Sequence, residues 1–159
     1  MEMLESFKRQ YHLSFEMLRE CIEKCPDDVW TAGKQPRVFW RIAYHAVYYT
    51  DRYLQKDEHS FKPWSLHRPD VQALWGRPKK DEPYTKAEVL SYLEEVDSRV
   101  DNVIDHMDFS SMESGFSLYK MGKFELQLLN LRHGQGHIGQ LSEILMSHGI
   151  NTTWAGMSE

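Results

Sequence analysis

The stretch Leu126-Gln127-Leu128-Leu129-Asn130-Leu131-Arg132-His133-Gly134-Gln135-Gly136-His137-Ile138-Gly139-Gln140-Leu141-Ser142-Glu143-Ile144-Leu145 reads as one helix with a single apolar side. Leu126, Leu129, His133, His137, Leu141, Ile144 and Leu145 recur at steps of three and four, the spacing that lines up residues on one helical face. The helix is expected to start near Gly122 and to stop at Gly149, a left-handed C-cap followed by the apolar Ile150. Two histidines interrupt the apolar stripe, one turn apart.

Three further segments carry the same period. Leu4, Phe7, Tyr11, Phe15, Leu18 and Ile22 form a first stripe, ended by Pro26, Asp27 and Asp28. Val38, Ile42, His45, Tyr49 and Tyr53 form a second, in a helix predicted to open at about Pro36, a good first-turn residue, and to run to about Leu54. Thr85-Lys86-Ala87-Glu88 fits the capping-box pattern and opens a third helix, with Val89, Leu93, Val96, Val100, Val103 or Ile104, and Met107 as its stripe. Residues 108–121 form a polar connection containing Gly115. Between the second and third helices, Pro63, Pro69, Pro78 and Pro83 exclude a long helix, while Phe61, Trp64, Leu66, Leu74 and Trp75 are too apolar for a free linker. An ordered crossover is expected there, packing its aromatics on the helices. The fold class predicted is all-α, a four-helix bundle with a long crossover between helices 2 and 3, and residues 1–159 form a single domain. The tail from Asn151, with Trp154, is expected to fold back on the bundle.

Composition narrows the function classes. The chain has 159 residues, 41% of them hydrophobic, enough for a core without staples. Its net charge is −5, and no basic block exceeds Arg77-Pro78-Lys79-Lys80. Binding to nucleic acid needs a basic face to neutralise phosphates, so nucleic acid is not an expected partner. Neither a signal peptide nor an 18-residue apolar run is present, so no membrane association and a cytoplasmic location are expected. Cys21 and Cys25 are too few for a disulfide framework. They read either as a two-thiol metal or redox site or as two small semi-buried hydrophobes, and the second reading is the expected one. Asn151-Thr152-Thr153 matches a glycosylation sequon without meaning in a cytosolic chain.

The histidines carry the chemistry. His133 and His137 stand one turn apart, and their ring nitrogens can converge on one ion. With eight histidines in the chain, roughly 0.4 such pairs arise by chance, so spacing alone is weak evidence. Position strengthens it. Both lie on a core stripe, where neutral imidazoles need hydrogen-bond partners or a metal, and His45 sits likewise on the second helix. Three imidazoles with an open fourth position compose a catalytic zinc site. Gly134, Gly136 and Gly139 each cost a helix about 1 kcal/mol relative to alanine, which close helix approach or room for a ligand would explain. The competing reading is that the glycines break the helix and the histidines bond to backbone. No glutamate follows the first histidine, so this is not a zincin. Gln140 and Tyr49, one turn beyond His137 and His45, are candidates for supporting polar groups. His12, His59, His67, His106 and His148 share no face and are expected at the surface.

The segments Val38-Phe39-Trp40-Arg41-Ile42-Ala43-Tyr44-His45 and Leu131–Leu141 make the chain similar to the DinB-like superfamily over nearly its whole length. The resemblance implies a helical bundle, frequently a homodimer, in which His45, His133 and His137 hold one divalent metal ion, zinc or nickel. It implies less about activity. Some members are thiol S-transferases using low-molecular-weight thiols, some are thiol-dependent isomerases, and a hydrolase label is common but weakly grounded. Two expectations follow. One is a metal-dependent enzyme acting on a small-molecule substrate by thiol transfer or hydrolysis; the other is a non-catalytic metal-binding protein of stress response and dimerisation. The lack of an evident general base favours thiol chemistry, because a metal-bound thiolate needs none.

Overall fold

A computed structural model describes residues 2–76 and 82–156, and among them the protein is all-helical. The elements in chain order are α1 (Glu2–Lys24), α2 (Asp27–Trp30), α3 (Phe39–Leu54), α4 (Lys86–Asp97), α5 (Val100–Asp105) and α6 (Lys123–Ser147). No helix among these residues is long and apolar enough to cross a membrane.

The helix ends follow from local chemistry. Thr85 accepts from the Glu88 amide at 3.2 Å, and the Glu88 carboxylate accepts from the Thr85 amide at 2.7 Å. The expected capping box is therefore complete. At the end of α6, Gly149 adopts φ +75°. Its amide donates to Met146 and the Ile150 amide donates to Leu145, the paired bonds of a Schellman stop. Pro36 does not open α3. It lies in the preceding turn, after a cis peptide from Gln35, and Val38 is the N-cap.

The third helix is divided where an unbroken one was expected. Around Ser98 and Arg99, the Arg99 amide donates to Val96, three residues back. The Glu95 carbonyl is taken instead by Ser98 Oγ and Arg99 Nε. Side-chain donors thus compete with the helical ladder. The apolar stripe survives the joint, since Val96, Val100 and Ile104 are all buried.

Most of the α1 stripe is buried as expected: Phe7, Tyr11, Phe15, Leu18 and Ile22. The α3 stripe is another matter. Fourteen of the sixteen residues of α3 are buried, and α3 touches all five other helices. The rest of its cover comes from the crossover. Trp64 stacks on Tyr92 with ring centroids 4.9 Å apart, and Tyr84 packs between Tyr44 and Trp40. Trp64 and Leu74 are buried, whereas Leu66 and Trp75 are exposed; Pro78 lies outside the described residues. The tail does lie along α1, through Thr153 on Glu20 and the Asn151 carbonyl on Lys24. The Trp154 ring, however, is 68% exposed.

Burying so much of α3 requires partners for its polar side chains. Asp51 accepts from Tyr92 Oη at 2.8 Å and from Arg99 at 3.2 Å, tying α3 to α4 and to the α4–α5 joint. Arg41 is fully buried and donates to three crossover carbonyls, of Asp70, Val71 and Ala73. Both cysteines are buried free thiols. Burial pushes both up, Cys25 to about 12, which makes them inert hydrophobes.

Two histidines expected at the surface have structural roles. His67 Nδ1 lies 2.7 Å from Tyr44 Oη, with its ring stacked on Tyr44 and Tyr48. His12, on α1, stands between Asp97 at 2.6 Å and Asp101 at 2.9 Å. Partial burial opposes its charge, but the hydrogen bonds to Asp101 and Asp97 outweigh this and raise its pKa. A raised folded pKa means stabilisation that is full below the ordinary histidine range and is lost as pH climbs through the folded value. His12→Ala is expected to lower the thermal midpoint at pH 6 by about 2 °C, the scale of a half-exposed ion pair. At pH 9 it should change little, and calorimetry at the two pH values checks the difference.

Candidate metal centre

α6 runs unbroken through all three glycines, so the reading in which they end the helix is excluded. Its inward face differs from the sequence stripe by part of a turn. Leu126, Gln127, Asn130, Gly134, Ile138, Leu141 and Leu145 are buried, while Leu129, His133, His137 and Ile144 are half-buried at the border. The reason lies in polar contacts that hydrophobicity does not report. Gln127 donates to the Tyr53 carbonyl and accepts from Tyr11 Oη, and Asn130 donates to the Thr50 carbonyl. A side chain at Gly134 would meet Thr50 Oγ1 of α3 at 3.5 Å, so this glycine sits at the α3–α6 contact. Gly136 and Gly139 have no neighbour within 4 Å of an added Cβ, and close helix approach does not account for them.

This rotation brings His133 and His137 against His45, which is 4% exposed on α3. His133 Nε2 lies 3.1 Å from His45 Nε2 and 3.1 Å from His137 Nε2. The three ligating atoms all fall within 4.8 Å of one another. Zn–N bonds of about 2.0–2.1 Å in a tetrahedral site place neighbouring ligand nitrogens about 3.3–3.4 Å apart. The observed spacing is close to that.

The outer nitrogens set the tautomers. His45 Nδ1 donates to the Gln72 carbonyl at 2.6 Å, and His137 Nδ1 donates to Gln140 Oε1 at 2.9 Å. When these two rings are neutral, their Nε2 atoms therefore present lone pairs to the centre, while His133 Nδ1 is buried with no hydrogen-bond partner. Burial pushes His45 down to about 3 and His133 to about 4, and lowers His137 as well. The charge of Arg37 adds to the effect on His45 and His137. All three rings are neutral at neutral pH. A proton on His133 Nε2 could serve one neighbouring lone pair but not both, so one close N···N contact would stay unmediated. A shared cation satisfies all three nitrogens at once.

The surroundings are aromatic. Tyr49 packs on His45 and His133, and Trp75, 65% exposed, presents its edge or face to His45 with centroids 6.4 Å apart. Among the described residues no carboxylate or thiol joins the three histidines. Of the candidate supporting groups, Gln140 bonds the outer nitrogen of His137 and Tyr49 packs through its ring. The Gln72 carbonyl escaped the sequence reading because it is a backbone atom 27 residues from His45. Nothing in local sequence reports such a contact.

No family model, curated protein or solved structure matches the chain. Gln140 is exposed, so replacing it should spare the fold while freeing His137 to reorient. Gln140→Ala is expected to weaken zinc binding by about tenfold, the usual scale for a group supporting a ligand. Calorimetric titration of zinc, with helicity followed by circular dichroism, checks both halves.

Proposed function

We propose that the protein is a DinB-like four-helix bundle that binds one divalent ion, zinc or nickel, through His45, His133 and His137. The four rods of this reading are α1, α3, α4 with α5, and α6, and the described residues between α3 and α4 belong to the crossover. The observation that carries the metal is the convergence of three neutral imidazole nitrogens with at most one proton to share among them. Imidazole ligands suit zinc and nickel alike, and nickel stands high in the divalent affinity order.

The activity that fits best is metal-dependent thiol transfer to a small-molecule electrophile. An ion held by three imidazoles keeps an open position at which a thiol is bound and deprotonated. The chain's own residues supply the rest. The Gln72 carbonyl and Gln140 hold the rings of His45 and His137, Tyr49 and Trp75 give an apolar wall, and His133 and His137 are half-buried. Hydrolysis is less well supported, because among the described residues no carboxylate stands in the cluster as general base.

Protein purified without a nickel column should carry about one divalent ion per chain, and His137→Ala should carry almost none while staying helical. Elemental analysis and circular dichroism measure this; a metal-free wild type that takes up no zinc at neutral pH would refute the centre. Bacillithiol and glutathione are then titrated into the zinc-loaded protein. Saturable binding that requires the metal and weakens as pH falls is the expected outcome. If neither thiol binds, thiol transfer is excluded and the non-catalytic, stress-response reading replaces it.

The second part of the proposal is a homodimer. Trp75 and Trp154 are both about two-thirds exposed, and Leu128 and Met146 on α6 are about half-exposed. Trp64 is buried and plays no part. Exposed apolar side chains of this size favour association through a two-fold axis. Sedimentation at micromolar concentration should give twice the chain mass; a strict monomer refutes this part.

A further inference from the structure

Arg41 is fully buried on α3, one turn before His45. Its guanidinium does not reach the three histidines. It points into the crossover, where Nε donates to the Val71 and Ala73 carbonyls at 3.0 Å each, and Nη2 to the Asp70 carbonyl at 2.9 Å. Nη1 donates to Gln35 Oε1 at 3.3 Å, on the chain leading into α3. The three carbonyls bracket Gln72, whose own carbonyl accepts from His45 Nδ1 at 2.6 Å.

The turn that Arg41 grips is not one the chain adopts without cost. Asp70 sits at φ +69°, the single non-glycine residue with positive φ among the described residues. A left-handed residue with a side chain persists where its surroundings over-determine it. Within the turn, backbone bonds join Val71 to Arg68 and Ala73 to Asp70, but neither reaches α3. Val71 and Leu74 are buried in the apolar core beside α3, but the hydrogen bonds that orient the carbonyls of this turn toward α3 come from the guanidinium of Arg41 and from His45.

We propose that Arg41 is a positioning residue for the metal centre: by fixing residues 70–73 it delivers the Gln72 carbonyl to His45 Nδ1, and so holds His45 with its Nε2 lone pair facing His133 and His137. The proposal rests on the reading of the three histidines as a metal centre, but its key readout does not need the metal. A planar guanidinium with five fixed donors can serve several carbonyls at once; a lysine ammonium, a point charge on a flexible stem, cannot reproduce that fork. Substitution of Arg41 therefore loosens the carbonyl that selects the His45 tautomer, although Arg41 touches no ligand nitrogen.

The test is nitrogen-15 NMR of the histidine rings in metal-free protein at pH 8, with zinc affinity measured in parallel. In the wild type, His45 should carry its proton on Nδ1. In Arg41→Lys, His45 should become a mixture of tautomers and the zinc Kd should rise by about tenfold or more, while His137, held by Gln140, keeps its tautomer. Gln72→Ala should change neither reading, because the backbone carbonyl makes the bond. A folded Arg41→Lys protein with an unchanged His45 tautomer and unchanged zinc Kd overturns the proposal, even if its thermal midpoint falls. Arg41→Gln, which can donate to fewer carbonyls, serves if the lysine variant fails to fold. Should both fail, the wild-type ring decides alone: a proton on Nδ1 supports the proposal and a proton on Nε2 overturns it. A wild type that binds no zinc refutes the metal centre, yet the tautomer comparison still decides the role of Arg41.

Discussion

Enclosing α3 on every side is the constraint around which the rest of the molecule is arranged. A surface helix buries one stripe and leaves the opposite side to water. α3 buries fourteen of sixteen residues, Arg41, His45 and Asp51 among them. Removing one partner of a buried charge such as Arg41 or Asp51 costs about 3–5 kcal/mol. Leaving a buried neutral donor such as His45 unpaired costs about 1–3 kcal/mol, so each of these side chains dictates what packs over it. Asp51 calls for Tyr92 and Arg99, and its contacts coincide with the joint that divides α4 from α5. Arg41 calls for a row of carbonyls, which only an irregular segment can present sideways. The crossover is that segment.

The same requirement makes the site. His45 needs an acceptor for its outer nitrogen, and the crossover supplies the Gln72 carbonyl. With that nitrogen engaged, the inner one can only face α6, where His133 and His137 meet it. The three-histidine cluster is thus a junction of three parts of the chain. α3 and α6 carry the histidines, and the crossover selects the tautomer of His45. The thiols of Cys21 and Cys25 stand apart from this, buried between α1 and its neighbours with their pKa values pushed up by burial.

The aromatic residues divide between two tasks. Trp30, Trp40, Tyr44, Trp64, Tyr84 and Tyr92 form a buried layer between α3, α4 and the crossover. Tyr84 Oη donates to the Leu66 carbonyl and Trp30 Nε1 donates to the Tyr84 carbonyl, so the polar tips of this layer are engaged. Trp75 and Trp154 are left outside with their rings in solvent. Rings of that size on a surface cost more to keep in water than smaller apolar groups, and Trp75 stands beside the histidines.

Sequence by itself determined the four long helical segments and several of their ends, at Leu54, Thr85, Gly122 and Gly149, because period and capping act within a few residues. The α1 stripe, the Thr85–Glu88 box and the Gly149 stop are all local. It also determined the three histidines as a set, through their unusual place on otherwise apolar stripes. Tertiary structure alone decided the rest. The turn of α6 that moves His133 and His137 to the edge of the buried face depends on Gln127 and Asn130 reaching carbonyls of α3. The division at Ser98 and Arg99 depends on side chains competing for the Glu95 carbonyl. The outer partner of His45 is a backbone oxygen, identical in every residue type, and only folding brings it there. Hydrophobic period records which side of a helix is greasy; it carries no record of which distant carbonyl a buried donor will find.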